Sequence, residues 1–362
     1  MEPEEQIREL EAELSRTKYN KATEFHFAVV RAKIAKLRRK IEARGRSRQK
    51  SGFSIKKTGD ATAVFVGFPS VGKSSILNKL TGAHSKIAAY DFTTLNVIPG
   101  TLVHNGARIQ LLDIPGILCG AATGSGRGKE VLSVVRNCDL LIIVIDALRP
   151  EHYQIILNEL KEVGIRANEA PPRIKITKKV RGGITINSTV EMELSETSIK
   201  AALQEFGIAN ADVQIDERIT LDRLIDGLEG NKVYIPAITV VNKIDLVDEK
   251  RLAELAEMLK PDLMISAENG TNIERLKEMI FERLKILRIF LKEVGKEPDI
   301  DEPMILRKPA TLRDVCNRIH RELERKFSFA RIWGKSARFP GQTFRRLDKE
   351  LEDGDIIELH SR

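Results

Sequence analysis

Two segments that lie far apart in this chain of 362 residues match the two halves of one nucleotide site. Residues 67–74 read GFPSVGKS, which fits the G-x-x-x-x-G-K-S pattern of a phosphate-binding loop. Residues 242–245 read NKID and follow the apolar run 237–241. Buried parallel strands that end at one edge of a sheet can bring two such loops together. The pair therefore predicts a binding site for a guanine nucleotide.

The phosphate-binding loop follows the apolar run 63–66 and opens into a helical pattern at 75–80. Its glycines allow backbone N–H groups to close around phosphate oxygens at a helix N-terminus. Lys73 is predicted to reach the β- and γ-phosphates, and the Ser74 hydroxyl to ligate Mg²⁺. The predicted nucleotide contacts of this segment are Gly67, Pro69, Ser70, Val71, Gly72, Lys73, Ser74 and Ser75.

The second segment is predicted to recognise the base. The Asp245 carboxylate can accept hydrogen bonds from guanine N1–H and from the exocyclic N2 amine, whereas adenine offers no such pair of donors. Such a site should reject ATP by orders of magnitude, because the wrong base leaves the carboxylate unpaired. Asn242 and Lys243 are predicted contacts of the same loop. Ser266 and Ala267, which follow another short apolar run, are predicted to touch the base oxygen through backbone N–H groups.

Two further segments are predicted to sense the third phosphate. A strand that ends in the Asp-x-x-Gly pattern supplies Asp113, to hold Mg²⁺ through water, and Gly116, whose N–H bonds the γ-phosphate. Upstream, Thr94 rather than Thr93 is favoured as the hydroxyl that ligates the metal. Both segments should become ordered with GTP and loosen with GDP. Lys73, Thr94 and Gly116 are the predicted catalytic residues, and Ser74, Thr94 and Asp113 the predicted metal ligands.

The residue after Gly116 predicts a slow reaction. Many GTPases place a glutamine there to orient the attacking water, but this chain has Ile117, which cannot do so. The glycine-rich, charged segment 124–130 follows, and a partner could order it, with Arg127 as a charge stabiliser. A flexible surface loop with no catalytic group explains the same residues equally well.

Composition limits the class of protein. With 42% hydrophobic and 31% charged residues the chain is ordinary for a globular protein, and its length allows several domains. No apolar run approaches the roughly 20 residues of a membrane span, and the acidic residues 1–5 do not resemble a signal peptide. The three cysteines are too few and too scattered for a disulfide framework or a zinc cluster. We expect a cytoplasmic protein that does not bind membranes.

The basic excess is concentrated near the N-terminus. Residues 31–50 hold ten Lys and Arg residues against one acid, Glu42. Apolar residues recur at spacings of three and four, which predicts two helices over residues 1–45 that break near residues 17–20. The basic second helix predicts contact with a polyanion, and the absence of a lipidation signal favours RNA over an acidic membrane. A solvated charged face is the alternative.

Some 70 residues lie between the helix predicted near residues 151–163 and the base-reading strand at 237–241. This gap is too long for a plain nucleotide-binding domain. Strands at 174–180 and 184–190, joined at Gly182 and Gly183, and helices at 197–206 and 221–228 predict an inserted α+β subdomain. Its basic residues 173–181 suit either a second RNA face or a hairpin edge kept basic against aggregation.

The C-terminal part reads as a separate small module. An amphipathic helix is predicted over residues 273–287, a linker over 298–303, and strands at 304–306 and 355–359 flank a helix from Thr311 to Leu323. This order predicts a β-grasp fold. Aromatic and cationic residues alternate in it as on RNA-binding surfaces, although most of the aromatics suit a core. These residues are Trp333, Lys335, Arg338, Phe339, Arg345 and Arg346.

The motifs together resemble one family over nearly the whole chain. The phosphate-binding loop, DFTTL at 91–95, DIPGI at 113–117, the glycine-rich 124–128, GNKVYIP at 230–236 and the C-terminal module are similar to those of the developmentally regulated GTP-binding (DRG) proteins of the Obg branch. The resemblance implies an α/β fold: a P-loop GTPase with a doubly wound sheet, an N-terminal helical region, an inserted α+β subdomain and a C-terminal β-grasp (TGS) domain. The expected segments are 1–58 (basic helical region), 59–165 (G domain, first part), 166–232 (insert), 233–290 (G domain, second part) and 291–362 (TGS domain).

The resemblance also implies an activity. It implies translation-linked GTP hydrolysis on ribosomes or ribosomal RNA, with GTP or GDP and Mg²⁺ bound, and a hydrophobic residue in place of the glutamine, which Ile117 matches. Some relatives use K⁺ to stabilise charge, usually with asparagine at the position of Ser70. The other class of function is a nucleotide-gated scaffold that recruits a regulatory protein partner with negligible turnover. The oligomeric state stays open.

Overall fold

The computed structural model describes residues 2–48, 59–82, 98–114 and 134–361, and the structural statements below concern these residues. The helices are α1 (Pro3–Arg16), α2 (Glu24–Arg48), α3 (Lys73–Thr81), α4 (His152–Glu162), α5 (Glu196–Glu205), α6 (Leu221–Glu229), α7 (Glu249–Leu259), α8 (Ile273–Arg283), α9 (Leu312–Ile319) and α10 (Arg321–Lys326). The strands are β1 (Ala61–Val66), β2 (Ile98–His104), β3 (Ala107–Asp113), β4 (Leu140–Asp146), β5 (Ile165–Ala167), β6 (Ile174–Lys178), β7 (Ile184–Ser188), β8 (Ala211–Ile215), β9 (Val233–Ile235), β10 (Ala237–Asn242), β11 (Leu263–Met264), β12 (Ile286–Leu291), β13 (Met304–Arg307), β14 (Phe327–Trp333), β15 (Gln342–Phe344) and β16 (Ile356–Ser361).

The chain divides into two compact units. One, the insert unit, is drawn from residues 1–52 and 164–234, and the other, the nucleotide unit, from residues 53–163 and 235–362. The N-terminal helices and the inserted subdomain, which the sequence suggests as separate segments, therefore belong to the same unit. Among the described residues no helix is long and apolar enough to cross a membrane.

A six-stranded sheet in the order β11-β10-β4-β1-β3-β2 forms the first part of the nucleotide unit. Strands β1, β4 and β10 are buried along their whole length, as their unbroken apolar runs predict for a parallel sheet covered on both faces. The pairs β1/β3, β1/β4, β4/β10 and β10/β11 are parallel, whereas β2 and β3 form an antiparallel hairpin. The carboxyl ends of β1, β3, β4 and β10 consequently meet at one edge, which confirms the predicted doubly wound fold.

The insert unit has a three-stranded sheet in the order β6-β8-β7 and a core shared with helix α2. Phe27 and Ala28 of α2 lie in this core with Val213 of β8 and Leu224 of α6. The two N-terminal helices and the break between them are confirmed, because α1 ends at Arg16 and α2 begins at Glu24.

The two strands predicted on either side of Gly182 and Gly183 are present. Reading them as neighbours in the sheet is wrong. Strand β8, which the sequence analysis did not predict, lies between the two: β6 pairs with it antiparallel and β7 pairs with it parallel. Helix α5 makes the crossover that a parallel pair requires. Alternation of apolar and polar residues marks β6 and β7 as half-buried strands but carries no information on which strand each one joins.

The C-terminal module is a five-stranded sheet in the order β13-β12-β16-β14-β15. The helix predicted to reach residue 287 instead ends at Arg283, and β12 begins three residues later. Lys285 has a left-handed backbone (φ +52°), which stops the helix, and Leu287 and Ile289 are then buried in the core of the module. Helix α9 likewise ends at Ile319 rather than at the predicted residue 323, because His320 adopts an extended conformation that caps α10.

Candidate nucleotide-binding site

The phosphate-binding loop joins the end of β1 to the first turn of α3. Gly72 caps the helix with φ +95°, and a Cβ atom there would lie 2.3 Å from Asn242 Nδ2. A Cβ atom at Gly67 would lie 2.6 Å from the Val144 carbonyl oxygen. Both distances are shorter than any ordinary contact, so the two glycines are required by the close approach of β4 and of the base-reading loop.

Lys73 places its ammonium group inside this loop. Its Nζ donates to the carbonyl oxygens of Gly67 and Phe68, both at 2.9 Å, and the residue is buried. Burial lowers the pKa of Lys73, and the nearby Asp113 carboxylate acts in the opposite direction. The ammonium group predicted to contact the phosphates thus already lies within the phosphate-binding loop.

The predicted metal ligands Ser74 and Asp113 are in contact. Ser74 Oγ donates to Asp113 Oδ2 at 2.6 Å, and Asp113 Oδ1 is buried without a hydrogen-bond partner among the described residues. A buried carboxylate oxygen without a partner is costly unless a bound group satisfies it. Hydroxyl and carboxylate oxygens are ligands that Mg²⁺ prefers, and Mg²⁺ usually keeps water and phosphate oxygens as its other ligands. The residues present therefore fit Mg²⁺.

Asn242 connects the phosphate-binding loop to the segment predicted to touch the base oxygen. Its Nδ2 donates to the Val71 carbonyl at 2.9 Å, and its Oδ1 accepts from the Ala267 N–H at 3.0 Å. The side chain is buried, so both bonds form away from water. Sequence reasoning identified Asn242 as a nucleotide contact and missed this structural role, which only an amide with one donor and one acceptor end can fill.

The base-reading loop is held by an ion pair that the sequence analysis also missed. Lys243 has a left-handed backbone (φ +67°), and its Nζ lies 2.7 Å from Asp146 Oδ2 at the end of β4. Asp146 is buried, and its other oxygen accepts from the Leu148 N–H at 2.9 Å. Asp245 lies on the 3-10 turn Ile244–Leu246 that follows, with its side chain exposed. This geometry leaves the Asp245 carboxylate accessible to a base.

The segment at Ser266 and Ala267 lies beside this loop. The Ser266 N–H donates to the Thr271 carbonyl at 3.2 Å, and its Oγ accepts from the Asn269 N–H at 3.1 Å. Since the Ala267 N–H donates to Asn242, both backbone groups predicted for the base oxygen are engaged within the protein. Their predicted contact with guanine stays a prediction.

One aromatic contact of the phosphate-binding loop has no signal in the sequence. Phe68, inside the phosphate-binding loop, stacks on His152 at the start of α4, with 3.9 Å between ring centroids and 22° between planes. Pro69 and Ser70 next to it are exposed, and Ser70 has φ +62°. Ser75 is exposed in the first turn of α3.

The predicted residues Thr94, Gly116, Ile117 and Arg127 lie outside the described residues. The structure thus brings together the phosphate-binding loop, Asp113, the base-reading loop and the Ser266 segment. In the described parts of the chain no cluster of three or more His, Cys, Asp and Glu side chains could hold a metal ion.

Three family models match consecutive parts of the chain. A model described as "50S ribosome-binding GTPase" matches residues 62–179, the "C-terminal region of MMR_HSR1 domain" matches residues 181–286, and "TGS domain" matches residues 287–361. The last match agrees with the five-stranded module at the C-terminus.

Relatives extend along nearly the whole chain. An uncharacterized GTP-binding protein of Methanocaldococcus jannaschii is 50% identical over 361 residues, covering 98% of this chain and 92% of its own. Developmentally-regulated GTP-binding protein 1 of Xenopus laevis is 44% identical over 359 residues, covering 98% and 97%. Among solved structures, the YchF GTPase of Schizosaccharomyces pombe is 14% identical, with a TM-score of 0.45 over 84% of this chain and 99% of its own.

Proposed function

The chain belongs to the developmentally regulated GTP-binding protein family of P-loop GTPases, and from this premise we propose that it hydrolyses GTP slowly as a ribosome-associated switch. GTP binding itself follows from the family. The observation that carries hydrolysis is the pairing of Ser74 with Asp113, whose second oxygen is buried beside the Lys73 ammonium with no hydrogen-bond partner in the described part of the chain.

Each of these residues has a defined role in the proposed reaction. When bound, Mg²⁺ neutralises charge on the transferred phosphoryl group. Ser74 Oγ and Thr94 would ligate the metal, Asp113 would hold it through water, and Lys73 would exchange its two carbonyl acceptors for phosphate oxygens. Gly116 positions the γ-phosphate through its N–H. Ile117 offers no group to orient water, so the intrinsic rate is low and depends on a partner or on K⁺ near Ser70.

Three cations of α2 make contacts within the insert unit. On α2, Arg31 pairs with Asp222, Arg38 pairs with Glu11, and Lys36 Nζ donates to the Glu205 carbonyl oxygen at 2.7 Å. These three cations therefore hold the insert unit together and are poor candidates for RNA contact.

Three other cations of α2 are available to a polyanion. Lys33, Arg39 and Lys40 are exposed and make no ion pair among the described residues. We propose that they contact ribosomal RNA in the cytoplasm, so that binding becomes weaker as salt rises.

Co-sedimentation with purified ribosomes tests the association. The protein is compared in GDP and in a non-hydrolysable GTP analogue at several salt concentrations, and stronger binding with the analogue is expected. Arg39→Glu combined with Lys40→Glu should weaken binding and flatten its salt dependence. Lys250→Glu with Arg251→Glu, an equal change in charge on α7, is the matched control. Equal sedimentation of both double variants would contradict the role of α2.

Phosphate release under single-turnover conditions tests the enzyme against the scaffold. We expect measurable turnover that is lost in Lys73→Ala and in Asp113→Ala. Repeating the assay in K⁺ and in Na⁺, with and without ribosomes, identifies the activating condition. No turnover in any of them would contradict hydrolysis and favour a nucleotide-gated scaffold that recruits a regulatory protein.

A further inference from the structure

The sheet of the insert unit has one apolar face and one polar face. Ile174, Ile176, Ile184, Ile186 and Val213 point into the core of the unit. The alternate residues of the same strands lie on the opposite face, because successive side chains of a strand point to opposite sides. Strand pairing arranges them in two rows of three, Lys175–Gln214–Asn187 and Thr177–Asp212–Thr185.

This second face is open to solvent. Lys175 and Thr177 of β6, Thr185 and Asn187 of β7, and Gln214 of β8 are all exposed. Neither row contains an apolar or aromatic side chain, so the face presents hydroxyl, amide and charged groups. With strands about 4.8 Å apart, each row is roughly 10 Å wide.

A loop at one end of this face carries an exposed apolar residue. Val180 is 96% exposed, the highest value among the exposed large hydrophobic residues of the described chain. The loop is nevertheless fixed: Asn210 Oδ1 accepts from the Gly183 N–H at 2.8 Å, and the Asn210 carbonyl accepts from the Lys179 N–H at 3.0 Å. Gly182 and Gly183 have φ values of +109° and +74°, which complete the turn. The valine is thus held in solvent by a preformed loop.

Two cations of the polar face and its loop are free to meet an anion. Arg181, next to this valine, and Lys175, on the row farther from the loop, are exposed and make no ion pair among the described residues, whereas Lys178 is in register with Ala211 and Ile184 and lies on the core side of the sheet. Lys179 pairs with Asp212 in the middle of the face. Two other acids, Asp216 and Glu217, follow the far end of β8. The loop end of the face is therefore its positive end.

We propose that this polar face and the loop 179–183 bind an A-form RNA helix along its minor groove. That groove is wide and shallow and displays 2′-hydroxyl groups, which threonine, asparagine and glutamine side chains can bond. Lys175 and Arg181 meet the flanking phosphates, and Val180 packs against the exposed sugar edges. Single-stranded RNA is the poorer fit, because its recognition depends on aromatic stacking and this face has no aromatic ring. The inference rests on the proposed ribosome association and names the kind of RNA contacted.

Fluorescence anisotropy on the full-length protein tests the inference. The probe is an end-labelled 16-base-pair RNA duplex, with a DNA duplex of the same sequence and a single-stranded RNA as competitors. Lys175→Glu with Arg181→Glu should reduce RNA-duplex affinity at least about tenfold and lower the salt slope by about 2. Lys250→Glu with Arg251→Glu is the control of equal charge and should leave affinity unchanged. Val180→Ser, which keeps every charge, should cost about threefold.

The outcomes separate this inference from the proposed function. RNA-duplex affinity that is equal in the two double variants, or tighter binding of the single strand than of the duplex, overturns the inference. Binding of the wild-type chain to anionic phospholipid vesicles with no binding to RNA overturns it as well. If the wild-type chain sediments with ribosomes and the Lys175/Arg181 variant does so equally, the proposed function stands and the inference fails. If wild-type sedimentation is absent while duplex binding depends on these residues, the inference stands and the ribosome proposal fails.

Discussion

The six-stranded sheet of the nucleotide unit and the three-stranded sheet of the insert unit bury their strands differently. In the first, β1, β4 and β10 are buried along their whole length. In the second, β6 and β7 alternate half-buried isoleucines with exposed polar residues. Fully buried strands leave only their ends for chemistry, which is where the phosphate-binding loop, Asp113, Asp146 and Asn242 lie. A half-buried sheet leaves a whole face available for a large partner.

The difference also explains how each region tolerates change. At the nucleotide edge the polar groups are buried and bonded to one another, so a single added atom displaces several of them. On the open face of the insert unit each polar side chain has solvent beside it. Substitutions there should change binding and leave the fold intact, whereas the core on the other face of the same sheet should behave like any protein interior.

The largest effect is expected at Gly72. In Gly72→Ala the new Cβ atom would meet Asn242 Nδ2 at 2.3 Å, which displaces the side chain that connects the two loops. We expect no measurable GTP binding in an equilibrium titration. Gly82→Ala is the matched control, since Gly82 also has positive φ (+72°) but no described residue within 4 Å of its Cβ position. Retained GTP affinity in Gly72→Ala would contradict the rigid packing assigned to this edge.

The next effect is expected in the core of the insert unit. Phe27 is 6% exposed, belongs to the shared core and stacks edge-on against Tyr19. Phe27→Ala should cost about 3–5 kcal/mol of unfolding free energy in this unit. Hydrogen exchange in α5 and β8 should accelerate, while GTP affinity stays within about twofold.

A neighbouring phenylalanine provides the control. Phe25 lies on the same helix but is 52% exposed, so Phe25→Ala should change stability by less than about 0.5 kcal/mol. If both variants exchange equally fast, helix α2 does not belong to the core of the insert unit.

Substitution of the residue predicted to recognise the base should have a smaller effect on nucleotide affinity. The direction of that effect should depend on the nucleotide. Asp245→Asn removes the acceptor for the guanine N2 amine, so GTP affinity should fall by at least about 100-fold. Xanthosine triphosphate has a carbonyl at that position, to which an asparagine amide can donate, and it should bind the variant better than GTP does. Competition titrations with both nucleotides measure this. Asp248→Asn is the control, because asparagine caps α7 as well as aspartate does.

The same contrast accounts for what the sequence could predict. The phosphate-binding loop and residues 242–245 are defined by chemistry that few residue types can perform. In the fold, Ser74 contacts Asp113, and Asn242 contacts the phosphate-binding loop at Val71. The pairing of Asp146 with Lys243 and the stacking of Phe68 on His152 join residues with no fixed spacing, so no pattern revealed them.

In the insert unit the elements were largely predictable, but their pairing was not. Residues 211–215 read ADVQI, and only three apolar residues mark this central strand. Without β8, strands β6 and β7 can only be read as neighbours. The end of α8 was missed for a local reason, since a lysine in the left-handed region is rare and gives no sequence signal.

The smallest effect concerns a charged contact inside the insert unit and depends on pH. Burial of Glu24 on α2 would raise its pKa, but hydrogen bonds from the Ser195 N–H and Oγ, from Lys21 and from Ser198 outweigh burial and lower it to about 2. Glu24 Oε1 accepts from the Ser195 N–H at 2.8 Å and thereby holds α2 to the N-cap of α5. Because the folded-state pKa lies below the ordinary value of 4.5, this contribution is complete above that value and is lost as pH falls towards 2.

Glu24→Gln should therefore cost about 1.5–3 kcal/mol of unfolding free energy at pH 7, the usual worth of hydrogen bonds to a charged group, and progressively less below pH 4.5. Urea unfolding followed by circular dichroism at several pH values measures the gap between the two midpoints. A gap that stays constant down to pH 3 would show that the carboxylate charge does not stabilise this contact and that α2 is held to α5 by its apolar side chains alone.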